Sequence, residues 1–314
     1  MGKSSWAWKS FGYTRSLQDL NAYLVNREYE HGDYCHYAGL TVIKSIITGR
    51  EFWISNVDNF NDKMDSKQFD NNSNRFFSLC FSTGVHENLS LWYLYSGIDG
   101  KGARIRFNKS TIKLLLEKAE YSLYKRTKFS EKGLLIKKLD TEDIKVKFKD
   151  IIYYSFNDRK SMYDLKYNTL VNHEFPKDEF ESYINDNMGF CKNLIWYYEK
   201  ETRLLIELQG EVRNLVESDP DAIETEYGEK HSPYLLVMKI DSSVISDFKI
   251  DLAPETSTKD EPEFYDAIKN VSEFKLDNIR NSEYVKQIKM SIADKYKRLI
   301  CSNCANSRDS KSQN

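Results

Sequence analysis

Trp196-Tyr-Tyr-Glu199-Lys-Glu201-Thr-Arg203-Leu-Leu-Ile206-Glu207-Leu208 sets charges at alternate positions just before an apolar run. An extended chain turns alternate side chains to one face, so as a strand this stretch puts Glu199, Glu201 and Arg203 together. Two carboxylates and a guanidinium entering a half-buried strand either neutralise one another or are aimed at a ligand. Like charges two residues apart raise one carboxylate's pKa, which suits proton handling or stabilisation of a cation. Arg203 can equally close the group as a structural ion cluster, and the local sequence leaves both readings open.

Around this expected central strand over 194–208, the chain of 314 residues is 40% hydrophobic, enough for a real core in one large or two ordinary domains. Aromatic residues reach 14%, with 21 Tyr and 17 Phe, and such rings line clefts as well as fill cores. A net charge of -2 advertises neither a nucleic acid nor a membrane partner. No apolar run of about 18 residues occurs, and Met1 to Trp8 lacks the apolar core of a signal peptide, so the expected location is the cytoplasm. Five scattered cysteines do not make a disulfide framework, and Cys301-Ser-Asn-Cys304 has zinc spacing without a second pair, so no metal site is expected.

Upstream, residues 1–28 read as a polar helix with Leu17, Leu20, Tyr23 and Leu24 at helical spacing. A strand ending at Tyr34 to Ala38 is followed by a helix on Leu40, Ile43, Ile46 and Ile47, stopped at Gly49. Glu51 to Ser55 and Arg75 to Ser82 read as strands, 62–74 as a polar loop, 87–95 as a helix and Ala103 to Phe107 as a further strand. Gly97, Gly100 and Gly102 form no phosphate-binding loop. A lysine-rich helical insertion is expected over about 110–193, broken by a strand at 151–155. Residues 210–232 read as an acidic loop or insertion, with strands at 234–240, 248–252 and 274–276. Uneven helical stretches between strands argue for an α+β fold with a single domain over 1–300, a core over about 34–252 and a flexible tail over 301–314.

Three further places carry candidate chemistry. His36-Tyr37 stands where a strand gives way to a helix, opening onto a cleft edge, although a buried His bonded to backbone accounts for it equally simply. Ser82 can meet a polar ligand while Trp92 or Tyr93 supplies a stacking wall, against the ordinary use of such rings in cores. Asn61-Asp62 in a loop fits turn chemistry as readily as a site.

His36-Tyr37, Trp53-Ile-Ser55, Asn59-Phe-Asn61-Asp62, Cys80-Phe-Ser82, Leu91 to Tyr95, Gly102 to Phe107 and Trp196 to Arg203 occur in the order seen in a widespread bacterial family of uncharacterised domains, over roughly 34–252. That family resembles a distant branch of the ADP-ribosyltransferase fold, with its split mixed sheet and surrounding helices. The resemblance implies an enzyme that cleaves NAD, its substrate, and transfers ADP-ribose to a nucleic acid or protein acceptor. Such an enzyme fits a toxin or anti-phage effector with an antitoxin or regulatory partner. It implies that His36 holds the nicotinamide-side ribose, that Tyr37, Trp92 or Tyr95 stacks nearby, and that Ser82 and Asn61 complete the NAD site. Glu201 would hydrogen-bond a ribose hydroxyl and stabilise the oxocarbenium-like transition state, with Glu199 orienting the acceptor or acting as base. The chain departs from the family at Ala38, where Thr is usual, and at Lys63, where Pro is usual.

Two rivals stand beside that expectation. Asp62, Glu199 and Glu201 around a divalent metal would make a nuclease or other phosphate-acting enzyme. A non-catalytic nucleotide- or protein-binding module would use the aromatic grooves and keep the charges as an ion cluster.

Overall fold

The computed structural model describes residues 32–60, 69, 73–84, 86–96, 101–127, 130–154, 187–219, 223–224, 230–256, 261–282 and 284. β1 (Asp33–Gly39) runs straight into α1 (Leu40–Gly49), whose Leu40, Ile43, Ile46 and Ile47 are all buried. Each such side chain contributes about 1.5–3 kcal/mol by leaving water. The left-handed stop falls on Arg50, with φ of 54°, rather than on Gly49 itself. β2 (Glu51–Asn56), β3 (Phe76–Gly84), α2 (Leu89–Tyr95), β4 (Gly102–Phe107) and α3 (Lys109–Lys118) follow. Asn88 and Asn108 cap α2 and α3 by accepting from backbone N–H groups that the first helical turn leaves unpaired.

Next come β5 (Glu120–Thr127), β6 (Ser130–Leu139), β7 (Ile144–Asp150), β8 (Ile152–Tyr154) and β9 (Cys191–Asn193). A 3-10 turn over Leu194–Glu199 leads into β10 (Glu201–Leu208) and α4 (Gly210–Glu217). The remaining elements are β11 (Ile223–Glu224), β12 (Lys230–His231), β13 (Tyr234–Lys239), α5 (Ser242–Ile245), β14 (Lys249–Leu252), α6 (Pro262–Lys269) and β15 (Ile279–Asn281). The chain is thus α+β.

Among the described residues eleven strands form one sheet, ordered β15-β14-β4-β1-β3-β2-β13-β5-β6, with β10 on the other edge of β3 and β7 beyond it. Its strands pair antiparallel except β14 with β15. β10 occupies one edge of β3 from Phe76 to Ser82. Along the opposite edge, Ser82 to Gly84 pair with β1 while Phe77 and Ser78 pair with β2, so the sheet forks at Leu79–Phe81.

One face of the sheet carries the main core, in which Phe52, Ile54, Phe77, Ile105, Leu204, Ile206 and Leu236 meet the apolar sides of α1, α3, α4 and α6. Two smaller clusters sit on the other face. One gathers Val57, Phe69, Phe76, Tyr153, Phe190 and Leu205, and the second gathers Cys35, Tyr37, Leu91, Trp92 and Ala253. No helix among the described residues is long and apolar enough to cross a membrane.

Several expectations need correction. Among the described residues, the segment expected as a helical insertion over 110–193 holds one helix, α3, followed by β5, β6, β7, β8 and β9, while 155–186 lies outside them. In Ile144-Lys-Val-Lys-Phe-Lys the apolar residues alternate with lysines, and that period of two outweighs the helix propensity of lysine. The expected strand over 194–208 is extended only from Glu201. Residues 210–217 form α4 instead of a loop, because Val212 and Val216, four apart, bury one helical stripe. The strand expected at 274–276 lies at 279–281, after a 3-10 turn. The expected helix over 1–28, Asn61-Asp62 with Lys63, and the tail over 301–314 lie outside the described residues.

Candidate functional site

A cleft of about 280 Å³ opens on the second face, where the two small clusters part. Strand register explains which side chains line it, since residues directly opposite across antiparallel strands share a face. Cys35 of β1 pairs with Ser82 of β3, which pairs with Glu201 of β10, and Cys80 pairs with Arg203. Ser55 of β2 pairs with Ser78, bringing Trp53 and Ser55 to the same face. Leu91 and Tyr95 of α2, Phe60, Lys192 and Trp196 complete the walls.

Glu199 arrives by a turn and not along a strand. Lys200 takes φ of 44°, and its N–H donates to Tyr197 O at 3.1 Å. The turn is laced to β3: Ser82 Oγ donates to Glu199 O at 2.7 Å, and Thr83 donates to Lys200 O through its N–H at 2.8 Å and its hydroxyl at 3.0 Å. Asn88 Nδ2 donates to Tyr198 O, tying the same turn to the start of α2. The positive φ lets Glu199 fold back over the cleft that Glu201 enters from the strand.

Four buried charges then meet. Lys192 Nζ lies 2.6 Å from Glu199 Oε2 and 3.1 Å from Glu201 Oε2, and Arg203 Nε lies 2.8 Å from Glu201 Oε1. Tyr95 OH donates to Glu199 Oε1 at 3.1 Å, so every carboxylate oxygen of the pair has a partner. Arg203 Nη1 donates to Gly189 O at 2.6 Å and its guanidinium stacks 4.8 Å from Phe60, while the Lys192 ammonium sits 5.0 Å from the Trp196 ring. The Tyr153 hydroxyl accepts from Glu201 N–H at 2.9 Å.

The two carboxylates titrate in opposite senses. Burial raises Glu199, as does the Glu201 charge, and Lys192 and Tyr95 only partly offset this. Burial acts the same way on Glu201, but the Arg203 and Lys192 cations outweigh it and hold that carboxyl down to about 2. Burial also pushes the Tyr95 hydroxyl and the Cys80 thiol up, with the adjacent carboxylates adding to the shift, so both stay protonated near neutral pH.

His36 lines the cleft at the fork. Its Nδ1 lies 3.1 Å from Cys80 O, and because a carbonyl only accepts, Nδ1 carries the proton and Nε2 is the acceptor nitrogen. Its ring meets Phe52 and Phe81 edge-on at 5.5 and 6.1 Å, and burial lowers its pKa against the opposing pull of the Cys80 carbonyl. Tyr37 lines the cleft with its hydroxyl turned away to Arg104 Nη1, at 2.8 Å, and burial pushes that hydroxyl up to about 12.

Of the expected site residues, His36, Tyr37, Ser82, Tyr95, Glu199 and Glu201 share this cleft. Trp92 does not line it: the ring is buried 4.8 Å from that of Tyr37, and its Nε1 donates to Glu87 Oε2 at 3.1 Å. Asn61 lies outside the described residues. Sequence reasoning missed Lys192, which sits in a stretch expected to be helical, and Trp53 and Phe60 as cleft walls. Alternation in Trp53-Ile-Ser55 offered a signal for Trp53, whereas nothing local distinguishes Lys192 from other lysines.

Among the described residues, no group of three or more His, Cys, Asp or Glu side chains stands where it could hold a metal ion. Comparison with protein-family models, with curated proteins and with solved structures finds no match.

Proposed function

We propose that the protein is an ADP-ribosyltransferase-like enzyme that cleaves NAD and transfers ADP-ribose to a macromolecular acceptor. The observation that carries this reading is the fork at β3. His36 and Glu201 come from strands on opposite edges of β3 and flank the same short segment, Cys80 to Ser82, beneath a cleft walled by aromatic rings. Such a cleft suits a flat ring and a sugar.

Cleavage breaks the bond between C1′ of the ribose and the nicotinamide nitrogen. The bonding electron pair leaves with nicotinamide, neutralising its pyridinium charge and leaving positive charge on the ribose. A carboxylate already fixed in place stabilises that charge without reorganising. Glu201 is suited to this because Arg203 and Lys192 keep it ionised, and its four lone pairs, set against Arg203, Lys192 and the Cys80 thiol, leave one for a ribose hydroxyl. Glu199 is suited to take the proton that the acceptor nucleophile sheds on attacking C1′. The His36 imidazole, with Nε2 as acceptor, would receive a second ribose hydroxyl.

Incubation with NAD labelled separately in its nicotinamide and adenylate parts tests the reading. Nicotinamide should be released with chelator present, and adenylate label should end on RNA, DNA or protein. Turnover abolished by chelator with NAD left intact would favour a metal-dependent phosphate chemistry instead. NAD that raises the melting temperature and is never consumed, even with acceptors present, would make the cleft a binding module.

A further inference from the structure

We propose that Lys192 is a positioning residue of the cleft, a cationic clamp that joins Glu199 to Glu201 and on which Glu199, far more than Glu201, depends. The geometry is asymmetric. Glu201 has two cationic partners, Arg203 at 2.8 Å and Lys192 at 3.1 Å. Glu199 has Lys192 at 2.6 Å and otherwise the neutral Tyr95 hydroxyl, and among the described residues Lys192 is the cation paired with it.

The clamp is built to stay in place. Lys192 is 8% exposed and packs its ammonium over Trp196, on the turn that delivers Glu199. Its strand, β9, pairs in parallel with β8, which follows β7 and so is tied to the strand carrying Glu201. The charged and titratable groups facing Glu199 are Lys192 on β9, Tyr95 on α2, Glu201 on β10 and Tyr198 on its own turn. Removing the Lys192 charge leaves burial and Glu201 acting in one direction on Glu199, while Arg203 still holds Glu201.

In the reaction, this clamp decides which carboxylate exchanges a proton. Glu201 keeps its charge throughout, and Glu199, raised by burial, is the carboxylate suited to take the acceptor's proton. That role in the reaction rests on the proposed NAD chemistry, whereas the clamp itself is a property of the cleft and is tested without any substrate.

The test is carboxyl carbon-13 NMR titration of protein labelled at glutamate, with the Glu199 resonance identified by its absence in Glu199→Gln. In Lys192→Gln, which keeps hydrogen-bond donors but no charge, the Glu199 titration should move up by about 1–3 pH units. In Lys192→Arg it should stay near the wild-type position, and in both variants Glu201 should remain ionised across the range where Glu199 titrates. Should Lys192→Gln not fold, Lys192→Met with the same labelling gives the same reading, and Lys192→Arg remains the retention control. Wild-type titration of Glu199 in a folded variant lacking the charge would overturn the proposal, as would equal shifts of both carboxylates. In a protein that turns over NAD, the acidic limb of the rate profile should rise with the Glu199 titration in Lys192→Gln and not in Lys192→Arg. An NMR shift without NAD turnover would keep the clamp and remove the proposed function.

Discussion

Glu199 and Glu201 are separated by one residue yet respond to pH in opposite ways, and that difference is measurable as stability. Glu201 is depressed in the fold, so its contribution is fully present above the ordinary carboxylate value of 4.5 and is lost as pH falls toward about 2. The contribution is about 3 kcal/mol. Glu199 is raised in the fold and acts the other way, costing stability once ionised and returning it as pH falls through its folded value. Urea midpoints followed across the acid range should therefore show a drop between about pH 4.5 and 2 that is smaller in Glu201→Gln, where the depressed Asp143 and Glu217 still contribute. Glu199→Gln should retain the drop and lose no stability at neutral pH. At this scale the alternation of Glu201 and Arg203 was a true strand signal, whereas Glu199 reaches them from a 3-10 turn and His36, expected at a strand end, lies in the middle of β1. Lys192 was invisible because its partnership is a tertiary contact: its neighbours Cys191 and Asn193 carry no pattern, and only the fold brings its ammonium to the carboxylates.

The short turn into β10 sets the geometry of the whole cleft. Lys200 holds φ of 44°, which proline cannot adopt, and its N–H is bonded to Tyr197 O. Lys200→Pro should cost about 3 kcal/mol or more and abolish ligand binding together with stability, read from thermal melts with and without NAD. Gly189 has φ of 81°, and a Cβ there would meet Phe69 at 2.6 Å and Leu205 at 2.8 Å. Its carbonyl is also the acceptor for Arg203 Nη1. Gly189→Ala should therefore cost about 2–4 kcal/mol by denaturant titration. Elements with strong local signals were legible: the strand-to-helix passage at β1 and α1, the buried run of β3, and the apolar strand β13. The lysine-rich strands β6 and β7 were not, because lysine favours helices and conceals a two-residue period. The break at Lys200 was not either, since nothing in Glu-Lys-Glu announces a left-handed residue.

Across the whole molecule, a second buried ion network stands behind the cleft and joins three strands. Asp251 of β14 accepts from Arg104 Nε at 2.7 Å, lies 2.8 Å from Arg106 Nε and is also bonded to Arg280 of β15. Arg104 in turn donates to the Tyr37 hydroxyl, linking the network to the cleft wall. Asp251→Asn leaves these guanidinium groups short of their carboxylate and should cost about 3 kcal/mol, read as a lowered urea midpoint. Fold class was legible from the uneven spacing of strands and helices. The fork at β3 was not legible, because pairing between residues distant in sequence leaves no local trace.

The proposed service of Glu201 in NAD cleavage is open to direct measurement. Nicotinamide release should be compared for wild type and Glu201→Gln at equal folded concentration, in chelator and at neutral pH. Robust release is expected from the wild type, with a loss of about 10²–10³-fold in the variant. Equal release from both proteins, or none from the wild type in the presence of RNA, DNA and protein acceptors, would contradict it.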